Sequence, residues 1–448
     1  MCAVGVVVAS VNAGQVMAKV SPEEAARLGK DLTAVGAERA GNAEGTIPEW
    51  TGGITEAPAG YVVGQAYPDP YPEDKIQFTI TKDNMAQYAD KLTEGQQKML
   101  TTYDSYKINV YQTRRSAVIS DAVRASALHN ALNVELVDDG AGIIGINGAV
   151  PFPIPKNPKD LIWNQIMRDR GKPMLRTLVQ VTPTVSGDFS PIQFSEEFST
   201  RFMLKDADKN KDENVYFYFK QKVTAPARLA GNVLLVHETI NQEKEPRRAW
   251  VYNAGQRRVR RAPQVAYDGP GTASDGLRTT DNFDGYNGAT DRYDWTLDGK
   301  QELYIPYNSN ILDDKALKYE DLVRPGHLNS DLVRHELHRV WKLTATLKEG
   351  SRHIYSKRVL YFDEDSWGMA ASDLYDGRGE LWRYQNVHSK AYYDAQLYSV
   401  TIETIHDLLS GRYISGGLAN EIPLRLDFSQ VYTTKDFTPA ALRRSGRR

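Results

Sequence analysis

The stretch AWVYNAGQRRVRRAPQ, residues 249–264, places four arginines directly after two aromatic residues. The arginines fall within five positions: Arg257, Arg258, Arg260 and Arg261. Because the planar guanidinium makes bidentate contacts with phosphates and carboxylates, these side chains are candidates for contact with a lipid phosphate or with the acidic surface of a partner. The alternative is that they pair with acidic residues of the chain, such as Glu238, Glu243 or Asp294.

Three other stretches hold ligand or acid–base residue types without the spacing that the chemistry needs. DADKNKDE, residues 206–213, resembles the first half of a calcium loop but lacks the required Gly and Glu, so we predict a hairpin turn. His335 and His338 are three apart on a predicted strand and should face opposite sides, whereas zinc proteases need histidines four apart on a helix. The carboxylates of residues 362–384 fall mainly in turns, whose geometry acidic residues tolerate. We therefore predict no metal site and no cofactor.

Catalytic motifs and a strong charge bias are both missing from the sequence. It has no nucleophile elbow, phosphate-binding loop or dinucleotide-binding fingerprint, and Ser274 lacks the strand-turn-helix context of a catalytic serine. Lys and Arg total 55 against 57 Asp and Glu, for a formal net charge of -2. A nucleic-acid binder usually carries a strong basic excess, so nucleic acid is not an expected partner. We predict no catalytic residues and a protein that is not an enzyme.

The N-terminus predicts export. Residues 3–11 form an apolar run too short to span a bilayer, and the following Val16-Met17-Ala18 provides small residues for signal-peptidase cleavage. We predict a signal peptide over residues 1–18, although no positive residue precedes the apolar run, which leaves open a start further upstream. The alternative is a buried N-terminal strand. Cys2 is the only cysteine and lies in this segment, so the exported chain would have no disulfide. We expect a soluble periplasmic protein, with outer-membrane association open.

The part of the chain before residue 173 is predicted to consist of an extended arm and short helices. A capping box at residues 21–24 begins a helix that we expect to continue through Leu32, and residues 41–75 are crowded with Gly and Pro. Helical patterns follow at residues 81–103, 120–133 and 160–170.

From Met174 onward, segments alternate polar with β-branched or aromatic residues and are separated by turn signals. Many strands without long intervening helices favour one large, curved, open antiparallel barrel with helices over its concave face. The predicted fold class is α+β, mainly antiparallel β. Residues 19–172 would supply the arm and lid helices and residues 173–448 the open barrel, with residues 19–448 as one structural unit.

Within this sheet, the arginine-rich stretch is predicted to be a β-hairpin. Trp250 and Tyr252 share one face of its first strand, and residues 253–255 form the turn. Alternation sends Arg258 and Arg260 to one face of the returning strand and the other two arginines to the opposite face.

Much of the chain also resembles a known bacterial family, called domain of unknown function 1329. The resemblance is carried by six stretches: KVSPEEAARLGKDLTAVGAERAGNAEGTIPEWTGG, GAVPFPIPKNPKDLIWN, NAGQRRVRRAPQVAYD, DGLRTTDNFDGYNGATDRYDW, GHLNSDLVRHELHRVW and YFDEDSWGMAASDLYDGRGELWR. The family is grouped with outer-membrane lipoprotein-sorting proteins of the LolA/LolB type, which are unclosed β-barrels with a helical lid over an apolar cavity. The resemblance implies that fold and no catalytic residue. The chain is much longer than a simple carrier of that type, and its arm could fill the cavity.

The leading hypothesis is a periplasmic carrier or binding protein that holds a lipid or other hydrophobic molecule non-covalently in an apolar cleft, in association with envelope transport. The alternative is a structural or interaction protein that docks a cell-envelope complex through its arm and basic strand. An ester hydrolase is the third hypothesis, and it requires a nucleophile with a base in reach. The strand positions expected to line the cleft, which an ordinary sheet core would equally require, are Tyr216, Tyr218, Leu234, Val236, Trp250, Tyr252, Trp341 and Leu343.

Overall fold

The computed structural model describes residues 20–446 apart from 211, 264, 266, 424 and 425, so the predicted signal peptide lies outside the described residues. The strands are β1 (Phe78–Ile80), β2 (Ile108–Val110), β3 (Glu135–Val137), β4 (Gly142–Ile144), β5 (Met174–Val181), β6 (Ile192–Thr200), β7 (Val215–Ala225), β8 (Val233–Thr239), β9 (Arg248–Asn253), β10 (Arg258–Arg261), β11 (Tyr293–Pro306), β12 (Arg334–Leu347), β13 (Lys357–Asp363), β14 (Met369–Tyr375), β15 (Leu381–Tyr392), β16 (Leu397–Asp407), β17 (Arg412–Leu418) and β18 (Leu426–Asp427). The helices are α1 (Pro22–Ala25), α2 (Glu94–Thr102), α3 (Asp121–Asn133), α4 (Pro158–Ile166), α5 (Tyr319–Leu322) and α6 (Pro439–Gly446).

All of these strands except the β3–β4 pair belong to one 16-stranded sheet. Its order is β1-β2-β12-β13-β14-β15-β16-β17-β5-β6-β7-β8-β9-β10, with β11 beside β12 and β18 beside β5. The neighbours pair antiparallel, except for a short parallel contact between β2 and β12. Over the described residues the two end strands, β1 and β10, do not pair with each other. The predicted open, mainly antiparallel sheet is therefore confirmed.

The sheet curves around α4. Trp163 and Ile166 of this helix share one buried cluster with Phe217 of β7 and with Leu360 and Phe362 of β13. Strands β14 to β17, β5 and β6 lie between β13 and β7 in the sheet, so the cluster around α4 extends across most of the width of the sheet. The sheet is a half-barrel with α4 on its concave face, as the strand pattern predicts.

Helix α4 has a strong local start and an early end. The backbone amide of Asn157 donates to Asp160 Oδ2 at 3.0 Å in a capping box. The helix ends at Ile166 rather than at the predicted Arg170. Beyond that point, Arg168 and Arg170 turn their guanidiniums back to carbonyls of the last helical turn, at 3.0 and 2.7 Å, and toward an acidic residue elsewhere in the chain. Side-chain donors thereby satisfy carbonyls that a longer helix would have used.

The arm, residues 26–77, contacts both faces of the sheet. Ile47 and Tyr67 pack in a cluster with Tyr361 of β13, whose neighbours in sequence face α4, so this part of the arm covers the convex face. Val35 and Trp50 instead join the cluster around α4. Helix α1, predicted to continue through residue 32, ends at Ala25, because the chain turns four residues later at a glycine with φ of 80°.

Asp373 of β14 holds the first turn of α2 against the convex face. The backbone amide of Gly95 donates to Asp373 Oδ1 at 2.9 Å, and the Tyr361 hydroxyl donates to Oδ2 at 3.3 Å. Burial, with a smaller contribution from the nearby Glu94, raises the pKa of Asp373 to about 7. The folded protein therefore keeps this carboxyl protonated at pH values where the unfolded chain has released the proton.

We predict that Asp373→Asn stabilises the protein at about pH 8 but not at about pH 4. Because the folded pKa is raised, the carboxyl contributes stability below the unfolded pKa of about 3.9, and this contribution is lost as pH rises toward about 7. Asparagine keeps an acceptor without titrating, so the gain above about pH 7 should be on the order of 4 kcal/mol. Urea unfolding at the two pH values measures it, with the acidic condition as internal control. An equal change in the free energy of unfolding at both pH values would contradict the raised pKa of Asp373.

Candidate functional site: the interior cavity

A long connection crosses the open side of the half-barrel. Strands β10 and β11 lie toward opposite edges of the sheet, and residues 267–292, here called the crossing segment, run between them. Asp281 of this segment accepts a hydrogen bond from Arg358 of β13 at 2.5 Å. Asn282 exchanges two hydrogen bonds with Gln385 of β15, at 2.8 and 2.9 Å. The crossing segment is thus fixed to the sheet by buried polar contacts.

Three adjoining chambers, together called the interior cavity, lie between the crossing segment and the sheet. The aromatic chamber encloses about 650 Å³ free of protein atoms, its mouth included, and is lined among others by Phe198, Phe217, Phe219, Leu397 and Phe428. The strand chamber, of about 580 Å³, is lined by residues that include Leu234, Val236 and Val265. The polar chamber, of about 430 Å³, is lined by residues that include Gln180, Gln221 and Glu403. Phe283 of the crossing segment lines all three, and no residue of the arm lines any of them.

Buried ion pairs form part of the cavity wall. Asp284 of the crossing segment accepts hydrogen bonds from both Arg168 and Arg170, with 2.8 Å to Arg170 Nε. Burial alone would raise the pKa of Asp284, but the two guanidiniums outweigh it and hold the pKa at about 2. Across the aromatic chamber, Arg176 of β5 pairs with Glu196 of β6 at 2.6 Å. The cavity therefore combines aromatic surface with fixed charges.

The structure places five of the eight predicted lining residues on the concave side. Leu234 and Val236 line the strand chamber. Tyr216 belongs to the cluster around α4 and lines a separate groove of about 1230 Å³, which shares Arg168 and Arg170 with the aromatic chamber. The last two, Trp341 and Leu343, pack in the cluster around α4 and line none of the three chambers.

The other three predicted residues, Tyr218, Trp250 and Tyr252, lie on the convex face. They belong to a cluster with Phe437 and α6, and the rings of Tyr218 and Phe437 stack with centroids 5.4 Å apart. A bulge between Val215 and Phe217 breaks the alternation of β7, which is why Tyr216 and Tyr218 face opposite sides although they are two apart. The expectation that all eight residues line one cleft is corrected accordingly. Ligand contact by any of them stays a prediction.

The arginine-rich stretch forms a hairpin as predicted, but its turn covers residues 254–257 rather than 253–255 and includes Arg257, whose φ is 54°. Arg258 is the Cα partner of Asn253 and Arg261 that of Trp250, and β10 is the last strand of the sheet path. All four arginines are exposed, and none joins an ion pair within the described part of the chain. The proposed acidic partner Glu238 is bound by Arg247 instead. Charged side chains on an edge strand hinder pairing with other sheets, and contact with an anion or partner stays a prediction.

His335 and His338 belong to different clusters, as strand alternation predicts. The first lines a pocket of about 280 Å³, and burial lowers its pKa to about 3; the other histidines of this pocket are His327, His388 and His406. The second meets Asp363 and Asp365, with candidate ligand atoms within 4.8 Å of one another, a spacing that could hold a metal ion. However, Arg115 donates to both oxygens of Asp365, at 3.0 and 2.7 Å, and already neutralises that carboxylate.

The hydrolase hypothesis calls for a nucleophile beside a base. Ser105 Oγ lies 2.8 Å from His327 Nε2, and Nδ1 of the same ring lies 2.6 Å from the carbonyl oxygen of Leu328. The third member of this arrangement is a backbone carbonyl rather than a carboxylate, and Ser105 is exposed and lines none of the three chambers. Ser274 donates to the carbonyls of Gly271 and Arg278 and has no histidine partner among the described residues.

Comparison with known proteins assigns the family. The model of the family described as Protein of unknown function (DUF1329) matches residues 79–443. The chain belongs to this family. The DUF1329 match spans all the strands of the sheet except the first residue of β1 and includes the whole crossing segment. Over 444 residues, which are 99% of this chain and 97% of the relative, the chain is 56% identical to Uncharacterized protein PA3922 of Pseudomonas aeruginosa.

Solved structures show more distant likenesses to this DUF1329 protein. A putative outer membrane lipoprotein-sorting protein domain from Vibrio parahaemolyticus is 14% identical, with a TM-score of 0.44 over 64% of this chain and 100% of that chain. A DUF1329 family protein from Desulfovibrio piger is 17% identical, with a TM-score of 0.44 over 63% and 96%. A LolA superfamily protein from Nitrosomonas europaea is 12% identical, with a TM-score of 0.38 over 63% and 98%. These scores are too low to support an argument about function. None of the helices in the described chain has the length and hydrophobicity required to span a membrane.

Proposed function

We propose that the protein is a periplasmic carrier or binding protein for a lipid or another hydrophobic molecule, which it holds non-covalently in the interior cavity. The observation that carries the proposal is the aromatic chamber, where five apolar side chains and Phe283 surround a space beneath the crossing segment. Ligand pockets are mostly apolar with a few fixed polar groups, and this lining has that character. Burial of an acyl chain there needs no further chemistry, because each Å² of apolar surface removed from water contributes about 25 cal/mol.

The cellular setting of this proposal follows from the sequence. The signal peptide predicted over residues 1–18 would export the chain, and membership of DUF1329 is the reason to look for envelope transport proteins as partners. Peripheral contact with a membrane would allow the carrier to take up and release its ligand. Nucleic acid has no place in this role, and neither does a catalytic step.

We predict that Leu234→Trp weakens the binding of a fluorescent fatty acid by at least about tenfold, because the indole would occupy the strand chamber. The matched control is Leu409→Trp, since Leu409 is 73% exposed and lies outside the chambers. Native mass spectrometry of protein purified from the periplasm should show co-purified lipid in the control and less in Leu234→Trp. Absence of lipid from the wild type, with no fatty-acid binding, would reject the carrier.

The alternative is an interaction protein that docks an envelope complex through the arm and β10. Its support is the row of exposed arginines on the edge strand, which have no ion-pair partner in the described chain. The same purification separates the two proposals: lipid-free protein recovered together with a crosslinked envelope protein would favour docking.

A further inference from the structure

Arg278 of the crossing segment is a buried cation without a counter-ion in contact. The residue is 8% exposed, its Nε is buried without a hydrogen-bond partner, and no ion pair in the described part of the chain includes it. Its guanidinium carbon lies 5.5 Å from the centroid of the Phe283 ring, and the side chain lines both the strand chamber and the polar chamber. Burial of a guanidinium without a counter-ion costs free energy unless a bound anion neutralises its charge.

The nearby carboxylates are engaged elsewhere. Glu196 accepts hydrogen bonds from Arg176 and from Gln221, the latter at 2.7 Å. Glu403 accepts from the backbone amides of residues 284 and 285. Both carboxylates act on Arg278 only through longer-range attraction.

The walls of the aromatic and polar chambers carry an excess of positive charge. Four arginines stand against three acidic residues: Arg168, Arg170, Arg176 and Arg278 against Glu196, Asp284 and Glu403. Burial, together with Asp284, raises the pKa of Glu403. An anion is therefore the ligand that this part of the cavity would attract.

We propose that Arg278 binds the anionic head, a carboxylate or a phosphate, of a single-chain amphiphile whose apolar tail lies in the interior cavity. The inference rests on the proposed function and names its ligand class. The guanidinium offers paired donors to two oxygens of the head. From this point the tail enters the strand chamber along Leu234 and Val236 and can extend past Phe283 into the aromatic chamber, since that ring borders both.

The test compares palmitate with hexadecanol, which has the same tail length but a neutral head, on the full-length protein stripped of lipid. We expect the wild type to bind palmitate at least about tenfold more tightly, since charge-assisted hydrogen bonds are the strong ones. Arg278→Gln should abolish this preference and Arg278→Lys should keep part of it. Arg378→Gln is the matched control, because Arg378 is exposed in the turn between β14 and β15 and lines none of the three chambers, and it should keep the full preference.

The outcomes distinguish failure of the proposed head-group contact with Arg278 from failure of the proposed carrier function. If the wild type binds palmitate and hexadecanol equally tightly, and Arg278→Gln does the same, then Arg278 does not bind the anionic head. The proposed carrier function is unaffected by that result. Binding of neither ligand rejects the carrier itself. A structural Arg278 would make Arg278→Gln unstable, whereas an unpaired one predicts a higher Tm for the ligand-free variant. If Arg278→Gln does not fold, folded Arg278→Lys decides the question. A reduced but measurable palmitate preference in that variant supports the proposed role of Arg278, and an unchanged preference or its complete loss overturns that role.

Two further ligands identify the source of the head group. Palmitoyl lysophosphatidate should bind with the same dependence on Arg278 if the site accepts a phosphate head, and palmitate alone would define a carboxylate site. Inorganic phosphate has no tail and should bind at least about tenfold more weakly than the lysolipid. Equally tight binding of inorganic phosphate would overturn the amphiphile in favour of a simple anion site.

Discussion

Replacement of Arg115 by methionine should lower the free energy of unfolding by at least about 4 kcal/mol, because it leaves a buried carboxylate and several backbone carbonyls without donors. Arg115 donates two hydrogen bonds to Asp365 in the turn after β13. Its remaining bonds reach four carbonyls of the arm, at 2.7 to 3.4 Å: those of Glu38, Arg39, Ala40 and Pro48. One side chain thus connects the arm to the sheet.

Urea unfolding followed by tryptophan fluorescence measures this effect, and Trp50 of the arm contributes to the signal. This residue is 7% exposed, and its Nε1 donates to the carbonyl of Ala117 at 2.9 Å. Arg27→Met is the matched control, since Arg27 forms an exposed pair with Asp31 and should leave stability unchanged within error. Limited proteolysis of Arg115→Met should cut within residues 38–48 first. A stability equal to that of the control would show that the arm does not depend on Arg115.

The hairpin of β9 and β10 illustrates what sequence reasoning reaches in this protein. Its two antiparallel strands follow from local alternation and a turn signal, and the structure reproduces them, although Arg257 lies in the turn rather than on the returning strand. Which of the two faces points into the cavity does not follow from local alternation. Alternation with the cavity-lining strands predicts that Trp250 and Tyr252 face the cavity, but they pack under α6, about two hundred residues later in the chain. Periodicity determines which residues share a face, whereas curvature and distant segments determine which face is concave.

The candidate site likewise contains some residues that the sequence predicts and others that it does not. Leu234 and Val236 lie on a regular strand, and the structure places both in the strand chamber as expected. Arg278, Phe283 and Asp284 belong to a stretch without helical or strand periodicity, so the sequence offered only its resemblance to the family as a signal. The partners of Asp284 lie more than 110 residues away, since 116 residues separate it from Arg168. Contacts of that range depend on the complete fold.

Asp284→Asn should be the second strongly destabilising change, with a loss of about 3–5 kcal/mol at about pH 7, because Arg168 and Arg170 would remain buried without their shared carboxylate. The backbone at Asp284 has a φ of 57°, a conformation that asparagine tolerates, so the substitution changes the charge without straining the chain. The control is Asp104→Asn, whose side chain is 86% exposed in a pair with Lys82 and whose removal should have no measurable effect.

The pH dependence of Asp284→Asn identifies the cause of the loss. With a folded pKa of about 2, Asp284 contributes stability above its unfolded pKa of about 3.9, and this is lost as pH falls toward about 2. The gap between wild type and variant in urea unfolding should therefore narrow by about 2 kcal/mol between about pH 7 and about pH 2. A constant gap would attribute the loss to packing instead.

Because the variant leaves two guanidiniums at the aromatic chamber unpaired, palmitate should also raise its Tm more than that of the wild type if the cavity accepts anionic amphiphiles.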